Sequence, residues 1–142
     1  MNEFCFSDLQ IGMTVSFQRE ITSEMEDLFR IISGDDNPMH KDDDFAKETS
    51  NGKFRSHVSF GMLTASLYSA LAGMYLPGKY SLIHSFDGIS FQNPVFAGDR
   101  LMIEGKIADK QDDLKLIIIK AAIRNQNNKI VSRAKLKVLV LR

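Results

Sequence analysis

The sequence predicts an α+β fold in which a curved antiparallel β-sheet wraps around one central buried helix. The segment from Phe60 to Tyr75 is apolar almost all round, with small residues between its large ones. That pattern is typical of a helix with no solvent-facing side. Four segments with strand character follow it and are separated by short turn sequences. Strands joined by short turns pair antiparallel, so they are expected to cover the helix as one sheet.

The N-terminal half supplies one further strand and two shorter helices. Residues 14–21 are predicted as a strand, and Ser23 with Glu26 three positions later matches the capping box of a helix that ends at Gly34. A second helical piece is expected over residues 43–48. The first helix carries an apolar stripe that is predicted to pack on the sheet: Met25, Leu28, Phe29 and Ile32.

The second half of the chain supplies the remaining strands. They are predicted over residues 81–91, 100–108, 114–124 and 130–141. The last one alternates, with apolar residues at even positions from 134 to 140 and basic residues at 133, 135 and 137. Such alternation indicates a sheet with one covered face. Leu76–Pro77–Gly78 is expected to end the core helix, because proline cannot continue its hydrogen bonds.

Composition indicates one globular domain that spans residues 1–142. Of the 142 residues, 44% are hydrophobic and 25% are charged. The chain has 18 basic and 18 acidic residues, so no net charge would draw it to nucleic acid or to an anionic membrane. Cys5 is the only cysteine, which fits a reducing compartment. Without a leader pattern or a long apolar run, we expect a cytoplasmic protein with no membrane partner.

The densest polar cluster of the chain lies where the first helix ends. It places the carboxylate of Asp35 and the imidazole of His40 five positions apart. Such a pair can activate water, because one group accepts a proton while the other holds or returns it. If only this pair is considered, the better explanation is that Asp35 and its neighbours form an ordinary turn and that His40 is a surface residue. The surrounding residues change that interpretation.

The residues around the pair form a longer pattern. From Ser33 to Ala46 the chain reads S-G-D-x-N-P-x-H-x-D-x-x-F-A. This pattern resembles the signature of the MaoC-like hydratases, also called the (R)-hydratase or hydratase 2 family. The similarity continues at FGML from Phe60, at LPG from Leu76 and at ISFQNPV from Ile89, so it covers about residues 29–101.

The resemblance implies a hot-dog fold and the activity of an (R)-specific enoyl-CoA hydratase or 3-hydroxyacyl dehydratase. It implies that Asp35 is the main base, that His40 orients the water, and that the backbone N–H of Gly61 binds the thioester oxygen. Coenzyme A or phosphopantetheine would enter only as part of the substrate, without a further cofactor. The resemblance also implies a homodimer or a dimer-based assembly.

Four further residues are expected at the site. Asn37 is predicted to tighten the catalytic loop, and Ser59, Phe60 and Met62 to line the substrate site. One departure from the family stands out, because the family usually has histidine where this chain has Phe60. The other histidines, His57 and His84, are interpreted as a loop residue and a strand residue. The three histidines are widely spaced in sequence, so we expect no metal site.

Two alternatives belong to other functional classes. Hot-dog folds also serve as thioesterases, but their common arrangements place an acidic residue on the core helix. From Gly61 to Tyr75 this chain has no Asp or Glu. The Phe60 departure could instead mark a non-catalytic acyl-thioester-binding subunit, and the presence of both Asp35 and His40 disfavours that alternative.

Overall fold

A five-stranded antiparallel sheet forms the frame of the protein in the computed structural model, which describes residues 1–142. The spatial order of the strands is β1-β3-β4-β5-β2. Each neighbouring pair runs antiparallel. The α+β prediction is therefore confirmed. In chain order the strands are β1 (Thr14–Glu20), β2 (Ser81–Phe91), β3 (Arg100–Gln111), β4 (Leu116–Arg124) and β5 (Ile130–Val140).

Three helices accompany the sheet: α1 (Ser23–Ser33), α2 (Asp43–Thr49) and α3 (Gly61–Ala70). Helix α3 continues into one π-helical turn, Leu71–Tyr75, so the predicted extent of the core helix is confirmed. Four of its large side chains are buried in one apolar cluster with the inner face of the sheet: Leu63, Leu67, Tyr68 and Leu71. None of the helices combines the length and the apolar character that crossing a bilayer requires.

The strand pattern is largely as predicted. The even positions of β5, from Ala134 to Val140, are all buried, which confirms the alternation. The predicted end of β3 is wrong, because the strand continues to Gln111 and β4 begins only at Leu116. An irregularity between Ile107 and Asp109 shifts the register with β4. This shift allows polar residues that looked like a turn to pair as strand.

Helix α1 begins differently from the prediction. Thr22 is its N-cap residue, and the Thr22 hydroxyl accepts a hydrogen bond from the Met25 N–H at 3.2 Å. The predicted capping box between Ser23 and Glu26 is therefore wrong. Glu26 is not available to cap, because its side chain is turned inward and only 2% of the residue is exposed.

The apolar stripe of α1 is only partly buried. Met25 and Phe29 pack against the core as predicted. Leu28 and Ile32 are 53% and 80% exposed, so the prediction is wrong for these two residues. The buried side of the helix includes Glu26, whose Oε1 lies 3.1 Å from His57 Nε2, and the side with Leu28 and Ile32 faces outward.

The core helix is not buried all round in the single chain. The sheet covers one side of α3, while the exposed side carries Met62, Ser66, Ser69 and Met74. The prediction of a fully buried helix is therefore wrong at the level of one chain. A five-stranded sheet curves around only part of a helix, so this face needs another surface if it is to be covered.

Gly78 tests how the N-terminus is tied to the end of the core helix. It has φ of 92°, and an added Cβ would lie 2.1 Å from the backbone oxygen of Asn2. Gly78→Ala should therefore lower the free energy of unfolding by about 2–5 kcal/mol, measured by urea denaturation. Gly12→Ala is the matched control, because Gly12 has φ of 94° with open space around it. It should cost only about 1–2 kcal/mol. If both variants lose the same free energy of unfolding, the backbone at Asn2 moves away from the added Cβ without an energetic cost.

Candidate active site

Local side-chain bonds shape the loop that follows α1. Gly34 ends the helix with φ of 72°. The Asp35 carboxylate then accepts the N–H of Asn37 at 3.1 Å, and the Asn37 side chain accepts the N–H of Met39 at 2.9 Å. Two successive turns of this kind bring the chain back on itself. They place the residue at each end of the loop, Asp35 and His40, side by side. The role of Asn37 in the site stays a prediction.

The two side chains of the predicted catalytic pair face each other. Asp35 Oδ2 lies 3.9 Å from His40 Nε2. This gap is too long for a direct hydrogen bond, and one water that contacts both atoms would span it. The other carboxylate oxygen, Oδ1, is occupied by the loop N–H. The free Asp35 oxygen and the His40 nitrogen are therefore both directed at one shared position.

The tautomer of His40 follows from its second contact. His40 Nδ1 lies 2.7 Å from the backbone oxygen of Val58. A carbonyl oxygen can only accept, so Nδ1 carries the hydrogen and donates it. In the neutral ring Nε2 is then the unprotonated nitrogen, and it faces Asp35. The Val58 N–H in turn donates to the Met39 oxygen at 2.9 Å, which ties the two backbone segments together.

Phe60 lies against His40. Its ring centroid is 4.3 Å from that of His40, and it also contacts Phe29 at 5.0 Å. Only 2% of Phe60 is exposed. The aromatic residue that replaces the usual histidine therefore supports the imidazole from the core side. Its predicted contact with substrate stays a prediction.

Gly61 begins helix α3, directly after Phe60. The first N–H groups of a helix have no partner within the helix, and the helix dipole makes this end positive. Side chains cap the starts of α1 and α2, from Thr22 and Asp42, but no side chain caps α3. The Gly61 N–H is thus left available next to Phe60, whose ring packs against His40. A Cβ at Gly61 would lie 3.3 Å from Cε1 of Phe91, so the space there is narrow.

The other two predicted site residues flank this helix start in different environments. Ser59 is buried, its N–H donates to the Val95 oxygen at 2.7 Å, and its hydroxyl oxygen has no hydrogen-bond partner. Met62 is exposed on the open face of α3. The structure therefore brings Asp35, His40 and the Phe60–Gly61 turn together, with Ser59 beneath the turn and Met62 outside it.

A group of three titratable side chains next to the site was missed by sequence reasoning. His57 Nδ1 lies 2.6 Å from Asp43 Oδ1, and His57 Nε2 lies 3.1 Å from Glu26 Oε1. Burial lowers the pKa of His57, but the hydrogen bonds and charges of Asp43 and Glu26 outweigh that effect and raise it above its usual value. The pKa of Asp43 is lowered, chiefly by the backbone N–H of His57. Glu26 and His57 are 31 positions apart, and no motif spacing marks such a contact.

Comparison with known proteins identifies the family. The family model described as MaoC like domain matches residues 8–128. The chain belongs to this MaoC-like family. An (R)-specific enoyl-CoA hydratase of Aeromonas caviae is 33% identical over 118 residues, which cover 83% of this chain and 85% of the relative. A 3-hydroxybutyryl-CoA dehydratase of Methylorubrum extorquens is 34% identical over 104 residues, or 73% of this chain and 64% of the relative.

The fold of this MaoC-like chain also matches solved structures. The structure of an (R)-hydratase from A. caviae aligns with a TM-score of 0.85 and 30% identity. The alignment covers 93% of this chain and 97% of that one. The predicted hot-dog fold is therefore confirmed. The match extends over nearly the whole of both chains, so the two proteins share the fold as a whole.

Proposed function

We propose that this MaoC-like protein is an (R)-specific enoyl-CoA hydratase and 3-hydroxyacyl-thioester dehydratase that adds water reversibly to a trans-2-enoyl thioester. One observation carries the proposal. Asp35 Oδ2 and His40 Nε2 face each other across 3.9 Å, and the contact with Val58 fixes the histidine tautomer. The two relatives in the family comparison act, by their names, in the two directions of this reaction.

The pair supplies the proton transfers of the reaction. Asp35 accepts a proton from the shared water as the water oxygen bonds to the β-carbon of the substrate. His40 orients that water, and its unprotonated Nε2 relays the same proton from Asp35 to the α-carbon, so both groups return to their starting states. Dehydration runs the same steps in reverse, so the atoms balance without an added reactant. Coenzyme A or phosphopantetheine enters only as the carrier of the acyl group, and the proposal includes no other cofactor.

The start of α3 supplies the electrostatic part. Negative charge develops on the thioester oxygen when water adds to the β-carbon. The uncapped N–H of Gly61 and the positive end of the helix stabilise that charge. Because Gly61 has no side chain, the thioester can approach the N–H closely.

An ultraviolet assay with crotonyl-CoA tests the proposal. Loss of the conjugated enoyl absorbance on mixing means hydration, and we expect that result. Release of a free thiol would mean thioester hydrolysis, which the absence of Asp and Glu from Gly61 to Tyr75 disfavours. Binding without either change would mean a non-catalytic acyl-thioester-binding subunit. Repeating the assay over a series of acyl lengths, on coenzyme A and on an acyl carrier protein, identifies the preferred substrate.

We also propose that the protein is a homodimer or a dimer-based assembly. The exposed side of α3 carries Met62, and the edge strand β2 carries the exposed apolar residues Leu82, Phe86 and Phe91. Pairing of two such edges would extend the sheet and cover both apolar surfaces. Light scattering at micromolar concentration should give twice the mass of 16.0 kDa or an even multiple. A monomer there would contradict the assembly.

The proposed setting is a reducing, cytoplasmic one. Cys5 is free and half-buried in the structure. A single thiol without a partner in the chain is stable where disulfides are kept reduced. The proposed substrates, acyl thioesters of coenzyme A or of a carrier protein, are compatible with that setting.

A further inference from the structure

We infer that His57 is a positioning residue for the proposed hydration, because its imidazolium holds in place the backbone carbonyl that fixes the tautomer of His40. The inference rests on the proposed function, since the positioned group is His40. His57 itself acts through Val58. It contacts neither Asp35 nor His40 by a hydrogen bond.

His57 joins three parts of the chain. Its ring nitrogens contact Glu26 on α1 and Asp43 at the start of α2, at 3.1 Å and 2.6 Å. Its own backbone N–H donates to the same Asp43 oxygen at 2.9 Å. His57 lies in the segment that leads into α3. We call this arrangement of Glu26, His57 and Asp43 the histidine clasp.

The clasp requires the protonated form of His57. Both ring nitrogens face carboxylate oxygens, and an ionised carboxylate can only accept hydrogen bonds. Both nitrogens must therefore carry hydrogens, which is the imidazolium. Glu26 adds a second reason, since it is 2% exposed and its Oε2 atom has no hydrogen-bond partner. A carboxylate buried in this way is strongly destabilising unless a positive charge lies beside it.

His57 affects the loop that carries Asp35 and His40 through the next residue in the chain, Val58. The Val58 N–H donates to the Met39 oxygen at 2.9 Å, and the Val58 oxygen accepts from His40 Nδ1 at 2.7 Å. The Ser59 N–H then bonds to the Val95 oxygen, which anchors the segment on its other side. If the clasp opens, this segment loses its anchor at His57, and Val58 is held less firmly. His40 Nδ1 then loses its acceptor, and the ring is free to adopt the other tautomer, in which Nε2 carries the hydrogen and cannot accept one.

The charged groups around His57 determine how the clasp responds to pH. The two carboxylates face it from α1 and α2, and the small polar cavity beside it is lined by further charged or titratable groups: Asp27, Arg30, His40 and Lys41. The net effect on His57 is a pKa above its usual value of about 6.5. The stabilisation by the clasp is therefore complete below about pH 6.5 and is lost as the pH rises through the raised pKa of the folded protein.

His57→Gln tests the inference in the pH profile of crotonyl-CoA hydration. Glutamine is neutral and cannot donate to both carboxylates at once. We expect kcat to fall roughly ten- to hundredfold at pH 6, where wild-type His57 is charged, with little change in KM. At high pH the wild type loses its own clasp, so the two kcat values should converge. His84→Gln is the matched control, since exposed His84 on β2 bonds only to Ser85, and its profile should follow the wild type.

Two more variants separate positioning from folding. Glu26→Gln and Asp43→Asn each keep the shape of the clasp and remove one of the charges that raise the pKa of His57. Their activity at pH 6 should stay near that of the wild type, while the alkaline decline should begin at lower pH. If His57→Gln does not fold, this shift of the decline still tests the inference. If kcat declines at the same alkaline pH in both variants as in the wild type, the inference is overturned.

Nitrogen-15 spectra of the imidazole rings give a readout that does not depend on turnover. The chain has three histidines, so each ring can be assigned by single substitutions. Wild-type His40 should show hydrogen on Nδ1, and His57→Gln should show a mixture of tautomers at His40. An unchanged His40 tautomer, or a kcat ratio that is constant with pH, would overturn the inference alone. Absence of hydration by the wild type would instead overturn the proposed function, and the positioning role with it.

Discussion

Asp35→Asn and His40→Gln are each expected to lower kcat for hydration by roughly 10²- to 10⁴-fold. Asn keeps the shape of Asp35 and its bond to the Asn37 N–H, but it cannot take the proton from water. Gln keeps a donor for the Val58 oxygen and removes the imidazole that faces Asp35. The measurement is steady-state hydration of crotonyl-CoA, with folding of each variant checked by circular dichroism.

The double variant distinguishes one shared water from two separate effects. Groups that act as a unit are strongly non-additive, so Asp35→Asn with His40→Gln should be hardly slower than the slower single variant. Asp36→Asn is the matched control, because it makes the same chemical change one residue away, on a carboxylate that faces Lys41 and Arg30. It should keep most of the activity. Multiplying effects in the double variant, or an active single variant, would place the chemistry elsewhere.

The proximity of Asp35 and His40 could be predicted from the sequence because the turns that join them are local. Asp35 and His40 lie in one loop, and the turn bonds inside this loop join residues two to four positions apart, although the His40 ring is also held by Val58, 18 positions away. Side-chain types at such short separations largely determine which turns form. The same reason explains the confirmed end of α1 at Gly34, which depends on its own φ of 72° and not on distant contacts.

The histidine clasp could not be predicted, because packing brings its members together. Glu26, Asp43 and His57 come from three separate parts of the chain, and the sequence had predicted Glu26 as the capping-box partner of Ser23. Glu26 is buried against His57, while Leu28 and Ile32 face outward, against the prediction. Hydrophobic periodicity thus predicts the position of the helix. It does not predict that the helix buries Glu26 beside His57 and leaves two apolar side chains exposed.

The role of Phe60 also depends on tertiary contacts. Its position before Gly61 could be recognised from the sequence, and the departure from histidine with it. Nothing in the sequence placed its ring 4.3 Å from that of His40 rather than at the mouth of the site. Phe60, which differs from the family pattern, therefore packs on His40, which matches it. We expect this contact to affect the orientation of the His40 imidazole directly, whichever substrate binds.

Gly61→Val should lower kcat by roughly 10²- to 10³-fold, the usual cost of losing one donor to a developing oxyanion. The branched side chain would project beside the uncapped N–H at the start of α3 and keep the thioester oxygen from reaching it. Crowding by Phe91 is a competing explanation, because a Cβ at Gly61 would lie 3.3 Å from that ring. Mass by light scattering and unfolding by urea should show that the variant still assembles and folds.

Gly61→Ala with and without Phe91→Leu separates the two explanations. Leucine removes the ring atoms that an added Cβ would meet, so it relieves crowding at the helix start but leaves the methyl group beside the N–H. If the loss comes from blocked approach of the thioester, the double variant stays as slow as Gly61→Ala, and we expect this outcome. Phe91→Leu alone measures any separate effect of the ring on turnover. Recovery of near-normal kcat in the double variant would show that Gly61 matters for packing against Phe91, and its N–H would then have no part in stabilising the enolate.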